Sequence, residues 1–328
     1  MALIISNYNQ LCKTVQCVWR AVTAALVHLR LRSSIGMQDE NRLPTRPLGR
    51  TGDDVTLFAL GGEGVLRTHG RLPEAAQVIH RALDQGVNYC DTAPAYDRSM
   101  DYYGAALGER RAEIFLASKT QDRTRDGSLR LLDDSLRRLQ TDHLDLWQLH
   151  DLRRIEDLDA IFSKGGAIEA LTQAREQGLV RFLGITGHHA PDILMEAMRR
   201  FDFDTLLVAL NAADVHRLSF IKTVLPEAAS RGMGVIGMKV YGAGTLLRRR
   251  RLFGRIGGSG LSTDEAMGYV LSLLGVSTVV IGCQTPAEVD DNVRVAREFV
   301  PFDTPMMRDL ESQTRRRAAS VTGYKRPA

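Results

Sequence analysis

Cysteine is scarce in this sequence, and the few cysteines do not form a recognisable framework. Cys12 and Cys17 lie near the start of the chain, whereas Cys90 and Cys283 lie in strand-like apolar runs, and no CxxC pair occurs. This pattern argues against a disulfide-stabilised scaffold and favours a reducing compartment. We therefore expect a cytoplasmic protein.

Long apolar runs and a strong charge excess are also missing. The apolar run 21–29 contains Thr23 and His28 and is too short to span a bilayer. The 43 basic residues barely exceed the 39 acidic residues, giving a net charge of +4. A charge balance this close to neutral gives no reason to expect a nucleic-acid or membrane partner. A small molecule is the expected partner, and composition leaves the oligomeric state open.

Residues 1–45 read as an extension ahead of the folded domain. Its first part has no acidic residue before Asp39 but contains scattered bases, including Lys13, Arg20 and Arg30. An amphipathic targeting or membrane-surface helix is one interpretation, although no obvious signal-peptide cleavage site is present. We favour a disordered extension, or an upstream start codon with Met37 as the beginning.

Strand-like and helix-like segments alternate regularly from Thr56 onward. The strand-like runs are short and mostly apolar, as expected when both faces of a strand are buried. No GxGxxG fingerprint joins a strand to a helix, which disfavours a doubly wound sheet. Eight strand–helix units over about 250 residues are typical of the α/β class with a (β/α)8 TIM barrel. The predicted helices are Pro73–Gln85, Met100–Gly108, Leu129–Leu139, Ala167–Gln177, Pro191–Arg200, Ser219–Arg231, Thr263–Leu274 and Pro286–Phe299.

The barrel is predicted to cover residues 46–302, with a short hairpin at its start and a tail at its end. Turn residues within Leu48–Val55 indicate the N-terminal β-hairpin. The tail, residues 303–328, contains Arg315–Arg317 and the pair Lys325 and Arg326. We expect it to be a solvated end.

Three successive strand-like runs each end in an ionisable residue. Asp91 ends the first, Lys119 the second and His150 the third, while Tyr96 lies in the loop after Asp91. All strand C-termini of a parallel barrel open on one face, so these groups should converge. Each residue alone could have a structural role, as a cap, a core side chain or a solvated lysine. Their joint position at one rim favours chemistry.

These four side chains together suit proton transfer to a carbonyl oxygen. A phenol has a pKa of about 10, and a nearby ammonium lowers that pKa by favouring the phenolate. A carboxylate can hold the ammonium in position, and a histidine can orient the carbonyl oxygen. None of the four is a hydride source, so a nicotinamide cofactor is implied.

Several stretches match one known family in the same order. They are Leu48–Gly52, Asp91–Ala93 with Tyr96, Ser118-Lys119, Leu149-His150, Gly184–Gly187, and Ile281-Gly282 through Asn292. In these stretches the chain resembles a bacterial-type branch of the aldo-keto reductases. The resemblance implies a barrel enzyme that reduces aldehydes and ketones with NADPH. It also implies a catalytic tetrad of Asp91, Tyr96, Lys119 and His150, with Tyr96 as the general acid.

The resemblance implies a cofactor side as well, where several residues depart from the family pattern. Thr186-Gly187 replaces Ser-Asn, Leu207 replaces a glutamine, and Met238 replaces a stacking tyrosine. Gln284 stands where the family places a base against the 2′-phosphate. The loss of that base weakens the case for NADP over NAD. The resemblance still implies NADP, and NAD is the alternative. The expected cofactor-binding residues are Gly62, Thr186, Gly187, His188, Asn211, Met238, Lys239, Gly282, Gln284, Glu288 and Asn292.

The basic run Arg248–Arg251, with Arg255, could supply phosphate contacts in place of Gln284, or could form a solvated loop. His188, His189 and His216 with Asp214 do not have the spacing of a known metal site, and no metal is expected.

The expected function is an NAD(P)H-dependent oxidoreductase that acts on a carbonyl, such as that of a sugar, or on the matching alcohol. One alternative is a barrel aldolase in which Lys119 forms a Schiff base. Another is a sensor or subunit that binds a nicotinamide nucleotide without turnover.

Overall fold

The computed structural model describes residues 42–247 and 260–327, and a small hairpin opens the described chain. Strands β1 (Thr45–Pro47) and β2 (Asp54–Thr56) pair in antiparallel register. Between them Gly49 adopts a φ of +55°, and a Cβ there would collide with the backbone of Gly234. Only glycine permits so close an approach. The predicted N-terminal hairpin is therefore confirmed.

Eight parallel strands form a closed barrel, which confirms the predicted fold. Each strand pairs with the next along the chain, and the last strand pairs with the first to close the ring. The strands are β3 Phe58–Gly64, β4 Tyr89–Asp91, β5 Phe115–Thr120, β6 Leu144–Leu149, β7 Val180–Gly187, β8 Thr205–Ala209, β9 Gly234–Met238 and β10 Val276–Cys283.

Helices connect successive strands around the outside of the barrel, and further helices follow the last strand. They are α1 Leu72–Asp84, α2 Ser99–Leu107, α3 Arg125–Leu139, α4 Ile155–Phe162, α5 Ala167–Glu176, α6 Pro191–Arg200, α7 Phe220–Ser230, α8 Thr263–Leu271, α9 Pro286–Arg297, α10 Thr304–Thr314 and α11 Ala318–Val321. No helix within the described ranges is long and apolar enough to cross a membrane.

Local capping explains where two of these helices begin. The Thr124 hydroxyl accepts a hydrogen bond from the Gly127 amide at 3.2 Å, so α3 begins before the predicted Leu129. The Thr285 hydroxyl accepts from the Glu288 amide at 3.3 Å and sets the start of α9. The short helix α4 and the C-terminal helices were not predicted.

The barrel interior is filled by an apolar set that we call the inner cluster. Its members alternate along the strands with residues that pack against the helices, as the period of two requires. Tyr89 faces inward and Cys90 outward, and Leu146 faces inward and Trp147 outward. The inner cluster consists of Leu48, Val55, Ala59, Tyr89, Phe115, Ala117, Leu146, Leu207 and Ile236.

The C-terminal segment packs against the barrel, so the expectation of a solvated end is wrong at Lys325, whereas Arg326 is exposed. Arg315 and Arg316 are exposed, but the Lys325 side chain is fully buried. Its ammonium pairs with the carboxylate of Asp214 and also donates to the Arg217 and Leu218 carbonyls, each at 2.9 Å. This ion pair fixes the end of the chain.

Two sequence predictions lie outside the described residues. One concerns the N-terminal extension, and the other concerns Arg248–Arg251 with Arg255.

Candidate active site

The next inward-facing positions after the inner cluster, toward the C-terminal ends of the strands, carry polar side chains. Asp91, Lys119 and Gln148 each lie two positions after an inner-cluster residue on β4, β5 and β6. The period of two therefore turns all three side chains into the barrel at its C-terminal end. This arrangement brings Asp91 and Lys119 together, as the strand ends predicted.

Asp91 and Lys119 form a buried ion pair. Lys119 Nζ donates to Asp91 Oδ1 and, at 2.8 Å, to the Thr92 carbonyl. Gln148 Nε2 donates to the other oxygen of Asp91 at 3.2 Å. Burial lowers the pKa of Lys119, but Asp91 and Tyr96 outweigh burial and the net shift is upward. Lys119 is therefore an ammonium at neutral pH.

Gln148 was not singled out from the sequence. The signal was available, because Gln148 lies two residues before His150 on the inward face of β6.

Tyr96 lies beside this pair in the loop between β4 and α2. Lys119 Nζ is 4.7 Å from the centroid of the Tyr96 ring, and the His150 ring meets it edge-on at 5.7 Å. The Arg67 guanidinium lies 5.7 Å from the same ring. Burial raises the pKa of Tyr96, and the charge of Lys119 only partly opposes this. The predicted lowering by a nearby ammonium is therefore present, but burial outweighs it, and Tyr96 is a protonated phenol at neutral pH.

His150 completes the group at the end of β6. Its backbone amide donates to the Thr120 carbonyl at 2.8 Å, which fixes its position against β5. Burial lowers the pKa of His150 to about 3, and the Lys119 charge adds to the effect. Its ring Nδ1 is buried without a hydrogen-bond partner among residues 42–247 and 260–327. A neutral imidazole with a free ring nitrogen can hydrogen-bond a substrate oxygen.

Thr186 and Gly187 lie at the end of β7, next to His150. The Thr186 hydroxyl accepts a hydrogen bond from the Asp151 amide at 2.8 Å. A Cβ at Gly187 would lie 2.9 Å from Leu194 Cδ2. A larger side chain at position 187 would therefore require Leu194 to shift.

Leu207 and Met238 belong to the apolar filling of the barrel. Leu207 is part of the inner cluster, and the partly buried Met238 packs against it. Asn211 is buried, and its side-chain amide donates to the Lys239 carbonyl and to the Tyr324 hydroxyl, both at 3.3 Å.

Tyr324 was missed by sequence reasoning, although it contacts several predicted cofactor-side residues. Its ring lies 5.3 Å from Lys239 Nζ and 5.7 Å from the His188 ring. The C-terminal segment therefore contributes an aromatic side chain at the mouth of the barrel.

His188 and His189 converge on Asp151 rather than on the residues considered from sequence. His188 Nδ1 and His189 Nε2 each lie 3.3 Å from Asp151 Oδ1. Burial lowers the pKa of His188 to about 4. His216 instead bonds the Glu311 carbonyl at 2.7 Å, and Asp214 pairs with Lys325.

The remaining predicted cofactor-side residues lie around β3, β10 and the start of α9. A Cβ at Gly282 would lie 2.7 Å from Glu63, and one at Gly62 would collide with Ser99. At both positions, glycine therefore allows a neighbouring segment of the same chain to lie close to the backbone. The Glu288 carboxylate accepts from the Gln284 amide at 2.7 Å. Asn292 accepts from the Tyr241 hydroxyl at 2.6 Å and donates to Cys283 Sγ at 3.5 Å.

The sequence model of the Aldo/keto reductase family matches residues 59–261, which is more than half of the chain. The chain belongs to the aldo/keto reductase family. The L-galactose dehydrogenase of Arabidopsis thaliana is 26% identical over 296 residues, covering 79% of this chain and 89% of the plant protein. The D-threo-aldose 1-dehydrogenase of a Pseudomonas species is 26% identical over 290 residues, 70% of this chain and 84% of the relative.

A solved aldo-keto reductase, AKR11C1 from Bacillus halodurans in its holo form, superposes with a TM-score of 0.70. It is 25% identical and covers 83% of this chain and 96% of its own. Membership of the aldo/keto reductase family makes this protein an oxidoreductase that uses a nicotinamide cofactor and acts on a small-molecule carbonyl or alcohol. The site needs such a cofactor, because its side chains can transfer and orient protons but supply no hydride. These side chains are Asp91, Tyr96, Lys119 and His150.

Proposed function

We propose that this protein is an NAD(P)H-dependent reductase of an aldehyde, ketone or sugar carbonyl, or a dehydrogenase of the matching alcohol. Tyr96 is its general acid and base. The observation that carries the proposal is the Lys119 ammonium, buried between the Asp91 carboxylate and the Tyr96 ring. The names of two relatives, an L-galactose and an aldose dehydrogenase, support a sugar as the substrate.

Each residue of the tetrad has a distinct role in this proposal. The protonated Tyr96 donates its proton to the carbonyl oxygen in reduction and accepts one in oxidation. Lys119 stabilises the phenolate that forms when Tyr96 gives up its proton, because its ammonium lies 4.7 Å from the ring. Asp91 holds Lys119 in place. His150, neutral at physiological pH, orients the substrate oxygen through its imidazole ring.

The nicotinamide cofactor supplies the hydride when bound. The residues proposed to hold it line the C-terminal ends of β3 and of β7 through β10: Gly62, Thr186, Gly187, His188, Asn211, Met238, Lys239, Gly282, Gln284, Glu288 and Asn292. NADP is the proposed form. NAD is the alternative, since Gln284 carries no charge and Glu288 stands beside it.

The aldolase alternative loses support from the site. A Schiff-base lysine must reach its neutral amine form to attack a carbonyl. Lys119 is paired with Asp91 and its pKa is raised, so the amine form is scarce at neutral pH.

The proposal is tested in two steps with the full-length protein. NADPH and NADH are titrated separately while tryptophan fluorescence is followed, and the tighter cofactor is then used in an absorbance assay with a panel of aldoses, aldehydes and ketones. Binding of one nucleotide with turnover of a carbonyl supports the proposal. Binding without turnover of carbonyls or alcohols would identify a sensor, and binding of neither nucleotide would contradict the proposal.

A further inference from the structure

Three potential ligand atoms meet at the mouth of the barrel, in the loops that follow β6 and β7. Asp151, His188 and His189 each offer one ligand atom, and these three atoms all lie within 4.8 Å of one another. Both nitrogens are 3.3 Å from the carboxylate oxygen. The residues that form this Asp151–His188–His189 cluster follow two neighbouring strands, β6 and β7, and the register of these strands brings them together.

The spacing of these atoms matches coordination of a metal ion. Zinc binds histidine nitrogen and carboxylate oxygen at about 2.0–2.2 Å, so neighbouring ligand atoms around a tetrahedral ion lie about 3.4 Å apart. The two separations of 3.3 Å are close to that edge length. Two imidazoles and one carboxylate also form a ligand set that catalytic zinc sites use, with a further position left for water or substrate.

Hydrogen bonding leaves two of the three required ligand atoms free. Asp151 Oδ1 and His189 Nε2 are buried, and neither makes a hydrogen bond in the part of the chain that the structure describes. The other oxygen of Asp151 accepts from Arg153 Nε at 2.7 Å. Arg153 therefore holds the carboxylate by one oxygen, while the second oxygen lies between the two imidazoles. Outer partners of this kind orient metal ligands.

The backbone of Asp151 is held in an uncommon conformation. Its φ is +55°, a region that non-glycine residues rarely adopt. Three hydrogen bonds maintain it: the Asp151 amide donates to Thr186 Oγ1 at 2.8 Å, its carbonyl accepts from Arg123 at 3.2 Å, and the Leu152 amide donates to the Thr186 carbonyl at 2.9 Å. Such strain persists where the surroundings enforce it, and it concentrates at functional sites.

We propose that Asp151, His188 and His189 bind one divalent transition-metal ion, Zn²⁺ or the chemically similar Co²⁺. The ion is held by Asp151 Oδ1, His188 Nδ1 and His189 Nε2. Asp151 directly follows His150 in the chain, so the ion lies beside the proposed catalytic group. His188 is a metal ligand in this assignment, in addition to its proposed place on the cofactor side. The site stands independently of the proposed reductase function.

Metal binding is measured on untagged full-length protein, without nucleotide or substrate. The protein is stripped with a chelator, incubated with Zn²⁺ or Co²⁺, and freed of excess metal. Bound metal is counted by mass spectrometry, and the Co²⁺ form is examined for visible absorption bands. We expect one equivalent per chain in the wild type, and loss of that equivalent in Asp151→Asn and in His189→Gln. Thermal melting of each apo-protein verifies that it is folded.

A matched control comes from a second histidine–carboxylate pair. His143 Nδ1 lies 2.7 Å from Asp142 Oδ1 on the surface, and no third ligand accompanies it among the described residues. His143→Gln should retain the full equivalent of metal. Arg153→Gln should keep the site but weaken its affinity by about 10-fold to 100-fold, since it removes an outer partner.

Two results would overturn the assignment. One is a folded wild type that retains no metal, which would leave the cluster as two histidines packed against an aspartate. The other is full retention of metal by both Asp151→Asn and His189→Gln, which would place the ion elsewhere in the chain.

Discussion

Lys119 and Asp91 form an ion pair across neighbouring strands of the barrel, and their side chains are 0% and 1% exposed. A buried ion pair contributes little net stability, but removing one partner leaves an uncompensated charge. Proton-transfer chemistry therefore explains this pair better than stability does, because the pair keeps a permanent positive charge beside Tyr96.

Breaking this pair should be costly, and removing both charges should be less so. Lys119→Met should lower the free energy of unfolding by about 3–5 kcal/mol, because the Asp91 carboxylate remains buried and unpaired. The double variant Asp91→Asn with Lys119→Met should recover part of that loss while remaining inactive. Urea denaturation of the three proteins tests this. A double variant less stable than Lys119→Met would show that the charge of Asp91 is not the source of the loss.

The pH dependence of carbonyl reduction should reflect the raised pKa of Tyr96. Burial raises that pKa, and the negative charges of Asp91 and Glu63 add to the rise. The groups that face the Tyr96 ring are the charged Lys119, the nearby Arg67 and the neutral His150. Reduction needs the protonated phenol, so kcat/KM should not fall on account of Tyr96 until the pH exceeds about 10. A profile measured from neutral pH upward tests this. An alkaline limb centred well below that value, and absent from Tyr96→Phe, would contradict it.

The buried Lys325 should hold the C-terminal segment on the barrel. Lys325→Met removes the partner of the Asp214 carboxylate, and Tyr324 should then lose its contacts with Asn211 and Lys239. Limited proteolysis should cleave the C-terminal segment faster, and NAD(P)H should bind several-fold more weakly. The exposed Arg315 provides the control, since Arg315→Met should behave like the wild type. Equal cleavage rates in the two variants would show that Lys325 does not anchor the segment.

The two described cysteines should be inert in the folded protein. Burial raises the pKa of both Cys90 and Cys283 to about 12, so neither forms a thiolate at neutral pH. A variant with Cys12→Ser and Cys17→Ser should react with a thiol reagent only after denaturation. Rapid reaction of this variant under native conditions would mean that at least one of the two thiols is accessible.

The barrel and the meeting of Asp91, Lys119 and His150 at its rim could be predicted because the signals for them are local. Short apolar runs ended by Asp91, Lys119 and His150 are visible in the sequence, and a closed parallel barrel places strand ends on one rim. The net shift in the pKa of Tyr96 could not be predicted, since it depends on how deeply the loop buries the ring.

Other parts of the site depend on contacts between distant positions. Asn211 and Tyr324 are separated by 113 positions, and Asp214 and Lys325 by 111, and no local pattern indicates that either pair meets. The Asp151–His188–His189 cluster likewise forms only through the pairing of β6 with β7.

Removing a single hydroxyl group tests most directly whether Tyr96 transfers the proton. Steady-state kinetics and NAD(P)H affinity are measured for Tyr96→Phe and for a control, Tyr102→Phe. The control removes a nearby hydroxyl that accepts a hydrogen bond from the Arg71 amide at 3.0 Å. We predict that kcat falls by about 10²- to 10⁴-fold in Tyr96→Phe, with nucleotide affinity unchanged, while Tyr102→Phe retains turnover. Wild-type kcat in Tyr96→Phe would contradict the assignment of Tyr96 as the proton donor.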